Sequence, residues 1–214
     1  MNTISSSKSI NLSGNLSVPG DKSISHRSLI IGSLVNGRIE INNLLESEDV
    51  IATAEALKIL GVKINKLNDK WEVFGSGIGN FFGSNYTLNM GNSGTGARLL
   101  MGLVAGSDVE AKFIGDESLS KRPMKRVTAP LMETGAIIKS ETDNLPIIIQ
   151  GSKIPLPIEY QSPISSAQVK SSILLAGLSS LGKTTVIEPT LSRDHTERML
   201  NFFGANITTT QLDN

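Results

Sequence analysis

The chain has 214 residues, with 20 lysines and arginines balanced by 20 aspartates and glutamates, so no global field favours a nucleic acid or an anionic membrane surface. It contains no cysteine and only two histidines, His26 and His195, which excludes disulfides, thiolate metal sites and a histidine metal cluster. The start, Met1-Asn-Thr-Ile-Ser-Ser-Ser, lacks the apolar segment of a signal peptide, and no run reaches the ~18 apolar residues of a membrane span, so the chain reads as cytoplasmic.

In chain order, the first strong signal is Val18-Pro-Gly-Asp-Lys-Ser-Ile-Ser-His-Arg27 running into an apolar stretch. A Pro-Gly turn delivers Asp21, Lys22, Ser23 and Arg27 to the mouth of a helix over 24–35. Ser23 or Ser25 is expected to cap it. Arg27, four residues after Ser23, shares its face. With the positive end of the helix, these groups form an anion receptor. A strand over 38–44, an amphipathic helix over 47–60 and an apolar strand after Gly61 follow. The loop Gly91-Asn-Ser-Gly-Thr-Gly96 then opens an apolar helix over 95–105, with Arg98 in its first turn. No Gly-Lys-Ser/Thr ending follows the loop, so it is not a Walker P-loop. A strand over 109–114 leads to Lys121-Arg122-Pro123 and a helix over 122–134, where proline suits the first turn. Lys121, Lys125 and Arg126 read as solvated charges. Finally, Ser165-Ser-Ala-Gln168 opens an apolar helix over 166–179, a strand covers 184–188, and Ser192-Arg193-Asp194 opens a helix over 194–203. His26 reads as a packed or capping side chain. His195 and Asp194 are not expected to form a dyad, because adjacent helical residues do not face each other, and Asp194 is better placed as an N-cap.

These elements repeat. Gly61, Gly135 and Gly204 each follow the second helix of a unit and precede an apolar run, at the place of a left-handed C-cap. The unit of strand, helix, strand, helix and strand pair occurs three times, over about 13–85, 86–152 and 153–214. The first helix of each unit is apolar nearly all round, which predicts helices inside and sheets outside. If those helices run parallel, their decorated N-termini gather on one surface, and a ligand with two or more negative groups is the natural occupant.

Five segments carry a resemblance: Pro19 to Arg27, Gly91 to Arg98, Gly115-Asp-Glu-Ser-Leu-Ser-Lys-Arg-Pro123, Ser165 to Ser171 and Ser192-Arg-Asp-His-Thr-Glu197. In this order the chain resembles the enolpyruvyl transferase family, on the branch that acts on shikimate-3-phosphate. The branch acting on a nucleotide sugar has Lys-Asn where this chain has Lys22-Ser23, and usually a loop cysteine. The Ser-Ala-Gln form of the fourth segment resembles a bacterial branch. The resemblance implies an inside-out α/β barrel domain of three βαβαββ repeats, with buried parallel helices and outer sheets. It also implies attack of the 5-hydroxyl of shikimate-3-phosphate on C2 of phosphoenolpyruvate, and departure of phosphate, with no metal or organic cofactor.

By the same resemblance, Lys22 bridges both substrates and transfers protons. Ser23 and Arg27 hold the shikimate hydroxyls and carboxylate. Ser166, Ala167 and Gln168 take the 3-phosphate, with Arg193 beside them. Gly94, Arg122 and Gln168 line the phosphoenolpyruvate site, where glyphosate, the family's inhibitor, also binds. Family members have two such domains, so the chain is expected to be an N-terminal half: residues 1–12 belong with the second domain, and 13–214 form this one. The expected partners are the two substrates and that second domain, with no nucleic acid or membrane, and the protein is expected to be monomeric and inactive alone. The alternatives are a UDP-N-acetylglucosamine enolpyruvyl transferase and a non-catalytic anion-binding domain.

Overall fold

The computed structural model describes residues 3–211. The first unit contains α1 (Lys22–Leu34), β1 (Asn36–Asn42), α2 (Glu48–Ile59), β2 (Lys63–Leu67) and β3 (Lys70–Ser76). The second contains β4 (Phe82–Asn89), α3 (Gly94–Ala105), β5 (Asp108–Ile114), a short α4 (Glu117–Ser120), α5 (Lys125–Glu133), β6 (Ile137–Lys139) and β7 (Ile147–Gln150). The third contains β8 (Glu159–Gln161), α6 (Ala167–Gly177), β9 (Thr185–Ile187) and α7 (His195–Phe202).

The sheets carry the repeat. Strands run in the order β1-β3-β2, β4-β5-β7-β6 and β8-β9. The antiparallel trio β1-β3-β2 has its counterpart in β5-β7-β6. The parallel pair β4-β5 has its counterpart in β8-β9. Each second helix ends at a glycine with positive φ: +95° at Gly61, +94° at Gly135 and +85° at Gly204. These are left-handed caps, and each redirects the chain out of its helix.

The helices are inside. Every residue of α3 except Thr95 is buried, as expected of a helix apolar on all faces. The chain packs α3 against α6 through glycine. A Cβ on Gly102 would lie 2.2 Å from the Ser172 carbonyl oxygen, and one on Gly106 would lie 2.6 Å from that of Ala176. Register advances together along both helices, so they run parallel and their N-termini share an end. Gly102→Ala is expected to cost about 1–3 kcal/mol of stability, because neighbouring backbone cannot yield cheaply. Urea unfolding checks this, and an unchanged midpoint contradicts it.

Several local expectations change. Asp21, not Ser23 or Ser25, caps α1: its carboxylate accepts the Ile24 amide at 2.9 Å. Ser25 is buried, and its hydroxyl instead accepts the Leu45 amide at 3.0 Å, tying α1 to the loop after β1. The helix expected over 122–134 starts at Lys125, and α4 precedes it. Asp116 caps α4 through the Leu119 amide at 2.7 Å, which leaves Pro123 in the turn between the two helices. Asp194 takes the N-cap position of α7, but its side chain makes no cap hydrogen bond. The first and third units are short of strands: residues 3–18 and 205–211 carry none. Among the described residues, no helix is long and apolar enough to cross a membrane.

Candidate active site

The N-termini of α1, α3, α6 and α7 meet at one cleft of about 50 Å3, lined by Ser23, Arg27, Thr95, Ala167, Gln168, Arg193 and His195. Helix N-termini present unpaired amides and partial positive charge, so the cleft wall favours anions before any side chain is counted. Ser166 is the N-cap of α6, and its hydroxyl accepts the Val169 amide at 3.4 Å. The first-turn amides of Ala167 and Gln168 have no intrahelical acceptor. Arg193 reaches over from the loop before α7 and donates to the Ser23 hydroxyl at 3.3 Å. A larger open depression, about 660 Å3, lies between Pro19, residues 42–47, Asp69 and Lys70. Lys70, the one cation in its wall, is paired with Glu40, so the smaller cleft is the better anion site.

Arg27 lies deeper than a surface receptor. It is 3% exposed. Its guanidinium donates to the Thr196 hydroxyl at 2.6 Å, the Ser171 hydroxyl at 2.8 Å and the Ser23 carbonyl at 3.0 Å. It thus bolts α1 to α6 and α7 and also forms part of the cleft wall. Burial pulls its pKa below the ordinary guanidinium value, and nearby Glu197 works against that pull.

A second group adjoins the first. Gln168 accepts from Arg98 Nη1 at 2.7 Å and donates to Thr95 at 2.9 Å, so it joins α6 to α3. Burial, with Arg126 and Arg122 nearby, lowers the pKa of Arg98 to about 10. Its Nε is buried without a partner. Gly94 opens α3, and a Cβ there would lie 3.0 Å from Arg122 Nη1 and 3.5 Å from Arg98 Nη1. Arg122 donates to Asn92, whose own amide donates to Asp116 at 2.7 Å.

Lys22, first in α1, pairs with Asp49 in the first turn of α2. Below them His26 is fully buried, with Nδ1 2.8 Å from the Thr53 hydroxyl and Nε2 unpartnered. The Thr53 hydroxyl also donates to the Asp49 carbonyl at 3.3 Å. Burial drops the His26 pKa to about 4, and Lys22 and Arg27 assist while Asp49 opposes. His195 Nδ1 lies 4.0 Å from Asp194, too far for a hydrogen-bonded dyad.

Of the residues singled out from sequence, Ser23, Arg27, Ala167, Gln168 and Arg193 line one cleft, with Ser166 capping the helix that forms its wall. Gly94 and Arg122 form a second group beside Arg98, and Lys22 is held at the edge by Asp49. Sequence reasoning passed over Asn92, Arg98 and Asp49 as site residues. Asn92 and Arg98 stand inside a loop motif already recognised; Asp49 carries no local signal beyond an acid in a helix's first turn.

The family model described as EPSP synthase (3-phosphoshikimate 1-carboxyvinyltransferase) matches residues 7–214. The chain is 56% identical over 198 residues to a 3-phosphoshikimate 1-carboxyvinyltransferase of Parvibaculum lavamentivorans, covering 92% of this chain and 44% of that protein. It is 53% identical over 205 residues to the one of Bartonella quintana, covering 95% of this chain and 46% of that protein. The solved EPSP synthase of Acinetobacter baumannii superposes with a TM-score of 0.86 at 44% identity, over 92% of this chain and 45% of that chain. The chain therefore spans about half the length of the curated relatives it matches. These matches lead to one conclusion: the chain belongs to the EPSP synthase family.

Proposed function

We propose that this chain holds shikimate-3-phosphate, and one wall of the phosphoenolpyruvate site, for enolpyruvyl transfer completed by a second domain. The observation that carries this reading is the meeting of four helix N-termini, Arg193 and Ser23 at one cleft. The 3-phosphate sits at the amides of Ala167 and Gln168 with Ser166 and Arg193, and the shikimate ring lies against Ser23 and Arg27. Phosphoenolpyruvate lies against Gly94, Arg122, Gln168 and Lys22. In the reaction the 5-hydroxyl gives up its proton as its oxygen bonds to C2 of phosphoenolpyruvate, while C3 gains a proton and becomes a methyl group. The tetrahedral intermediate then loses one proton from that methyl group and breaks its C2–O bond to phosphate, which restores the C2–C3 double bond. In this reading Lys22, which pairs with Asp49, moves protons at the junction of the two substrates. The fixed dipoles and guanidiniums stabilise the developing charge without reorganising.

Residues 13–214 form this domain and residues 1–12 go with the other. In the same reading the protein is a cytoplasmic monomer. Calorimetry on the chain tests the site. Shikimate-3-phosphate is expected to bind at least about tenfold more tightly than shikimate, as charge-assisted bonds of about 1.5–3 kcal/mol require. UDP-N-acetylglucosamine is expected not to bind. Equal affinity for shikimate and its phosphate, or preference for the nucleotide sugar, rejects the reading. Steady phosphate release by the chain alone, with both substrates, rejects the need for a second domain.

A further expected outcome concerns Gly94 in the full-length protein carrying this half. Glyphosate is longer than phosphoenolpyruvate, and a methyl on Gly94 presses on Arg122 Nη1 at 3.0 Å. Gly94→Ala is expected to raise the glyphosate inhibition constant more than the phosphoenolpyruvate KM. An unchanged ratio of the two constants sinks this, and parallel melting curves separate it from a fold effect.

A further inference from the structure

Behind the cleft lies a buried set of charges that the reaction does not use. Lys170 Nζ sits 2.8 Å from Glu188 Oε2 and 2.6 Å from Glu197 Oε1, with all three side chains only 10–11% exposed. Glu188 does more than balance Lys170. Its Oε1 accepts the Ser166 backbone amide at 2.8 Å, and its Oε2 accepts the Ser192 hydroxyl at 2.8 Å. The same two loops are laced a second time: Ser165 donates to the Thr190 carbonyl at 2.6 Å and accepts its amide at 2.9 Å. One carboxylate therefore holds both the residue that caps α6 and the loop that carries Arg193. Ser166 spends its amide on Glu188, which fixes the peptide just ahead of the two amides left open to the cleft.

The charges explain why a carboxylate is tolerated behind an anion site. Lys170 and Arg27 face Glu188 and Glu197, so the buried set is neutral. Burial works against both Lys170 and Glu188, yet their mutual hydrogen bonds prevail, raising the lysine pKa and lowering that of the glutamate. The ligand then meets the helix dipoles and Arg193 without competing for Lys170.

We propose that Glu188 is a positioning residue for the anion receptor: by holding the Ser166 amide and Ser192 together it sets the α6 N-terminus and Arg193 at the spacing a phosphate monoester requires. This rests on the reading of the cleft given above. Three variants separate position from charge. Glu188→Gln loses the charge but keeps an acceptor for the Ser166 amide. Glu188→Met loses both at similar volume. Glu188→Asp keeps the charge but withdraws the acceptor by one methylene. Calorimetric titration of each chain with shikimate-3-phosphate reads affinity, and melting curves read stability.

If position matters, Gln stays within about threefold of the unmodified chain while Met and Asp lose about tenfold or more, roughly the loss of one charge-assisted bond. If only charge matters, Gln and Met behave alike and Asp matches the unmodified chain; that pattern overturns the inference. Should the Met variant not fold, the Gln and Asp variants still give opposite orders under the two accounts. An unmodified chain that binds no shikimate-3-phosphate overturns the reading of the cleft and this inference with it; a binding chain with three equal variants overturns the inference alone.

Discussion

Replacing Arg27 by alanine is expected to destabilise the chain by about 3–5 kcal/mol, the scale found when one member of a buried charged network is removed. The guanidinium is 3% exposed and joins three helices, so its loss leaves the Thr196 and Ser171 hydroxyls facing a cavity and Glu197 with less compensating charge. Lysine is not expected to rescue it, because one ammonium cannot reproduce the planar fork that serves Nε, Nη1 and Nη2 partners together. Lys121→Ala is the matched control: Lys121 is 73% exposed and pairs only with an exposed Glu117, so its loss is expected to stay within about 0.5 kcal/mol. Denaturant unfolding of the three variants checks this. A cost under about 1 kcal/mol for Arg27→Ala would show that Arg27 serves ligand alone and not the framework.

The second large effect is acid sensitivity set by His26. The folded ring titrates near 4 and an unfolded one near 6.5. Between those values the unfolded chain holds a proton that the folded chain refuses. Stability that is complete above pH 6.5 therefore falls with pH and is lost as pH drops through about 4. At ~1.36 kcal/mol per pH unit, this window amounts to about 3 kcal/mol. The charged groups around the ring are Asp49, Lys22 and Arg27, and Nδ1 shares a hydrogen bond with the Thr53 hydroxyl. His26→Asn keeps a donor near Nδ1 and cannot titrate, so its stability is expected to fall less steeply across the window. Urea midpoints from pH 7 to 4 measure the slopes. Parallel slopes refute the assignment, since the carboxylates Glu40, Glu46, Asp116 and Glu188 titrate in both proteins.

What could be read from the sequence was local. Helix N-termini carry their own signals, so Ser23, Arg27, Ser166, Gln168 and the loop holding Gly94 stand out without any knowledge of the fold, while Ala167 and Arg122 are singled out by the family resemblance. The three left-handed glycine caps mark the repeat in the same way. Where two local signals compete, the sequence does not choose between them: Asp21, Ser23 and Ser25 are all good caps, and only the path of the Pro19-Gly20 turn brings the Asp21 carboxylate onto the Ile24 amide. Pairings across the fold leave no mark in the sequence. Lys22 with Asp49, and Lys170 with Glu188 and Glu197, depend on which helix faces sit together, and a charge on one helix does not name its partner on another.

Arg27 meets Ser171 and Thr196 across 144 and 169 residues. Contacts of such separation close long loops, and the ordering entropy of those loops has to be met before the contacts can form. A partly folded or still-growing chain therefore has no receptor, and a phosphorylated ligand has nothing to seize except the finished molecule. On the proposed reading such a ligand is expected to stabilise the native state by about 2.7 kcal/mol at a hundredfold excess over Kd.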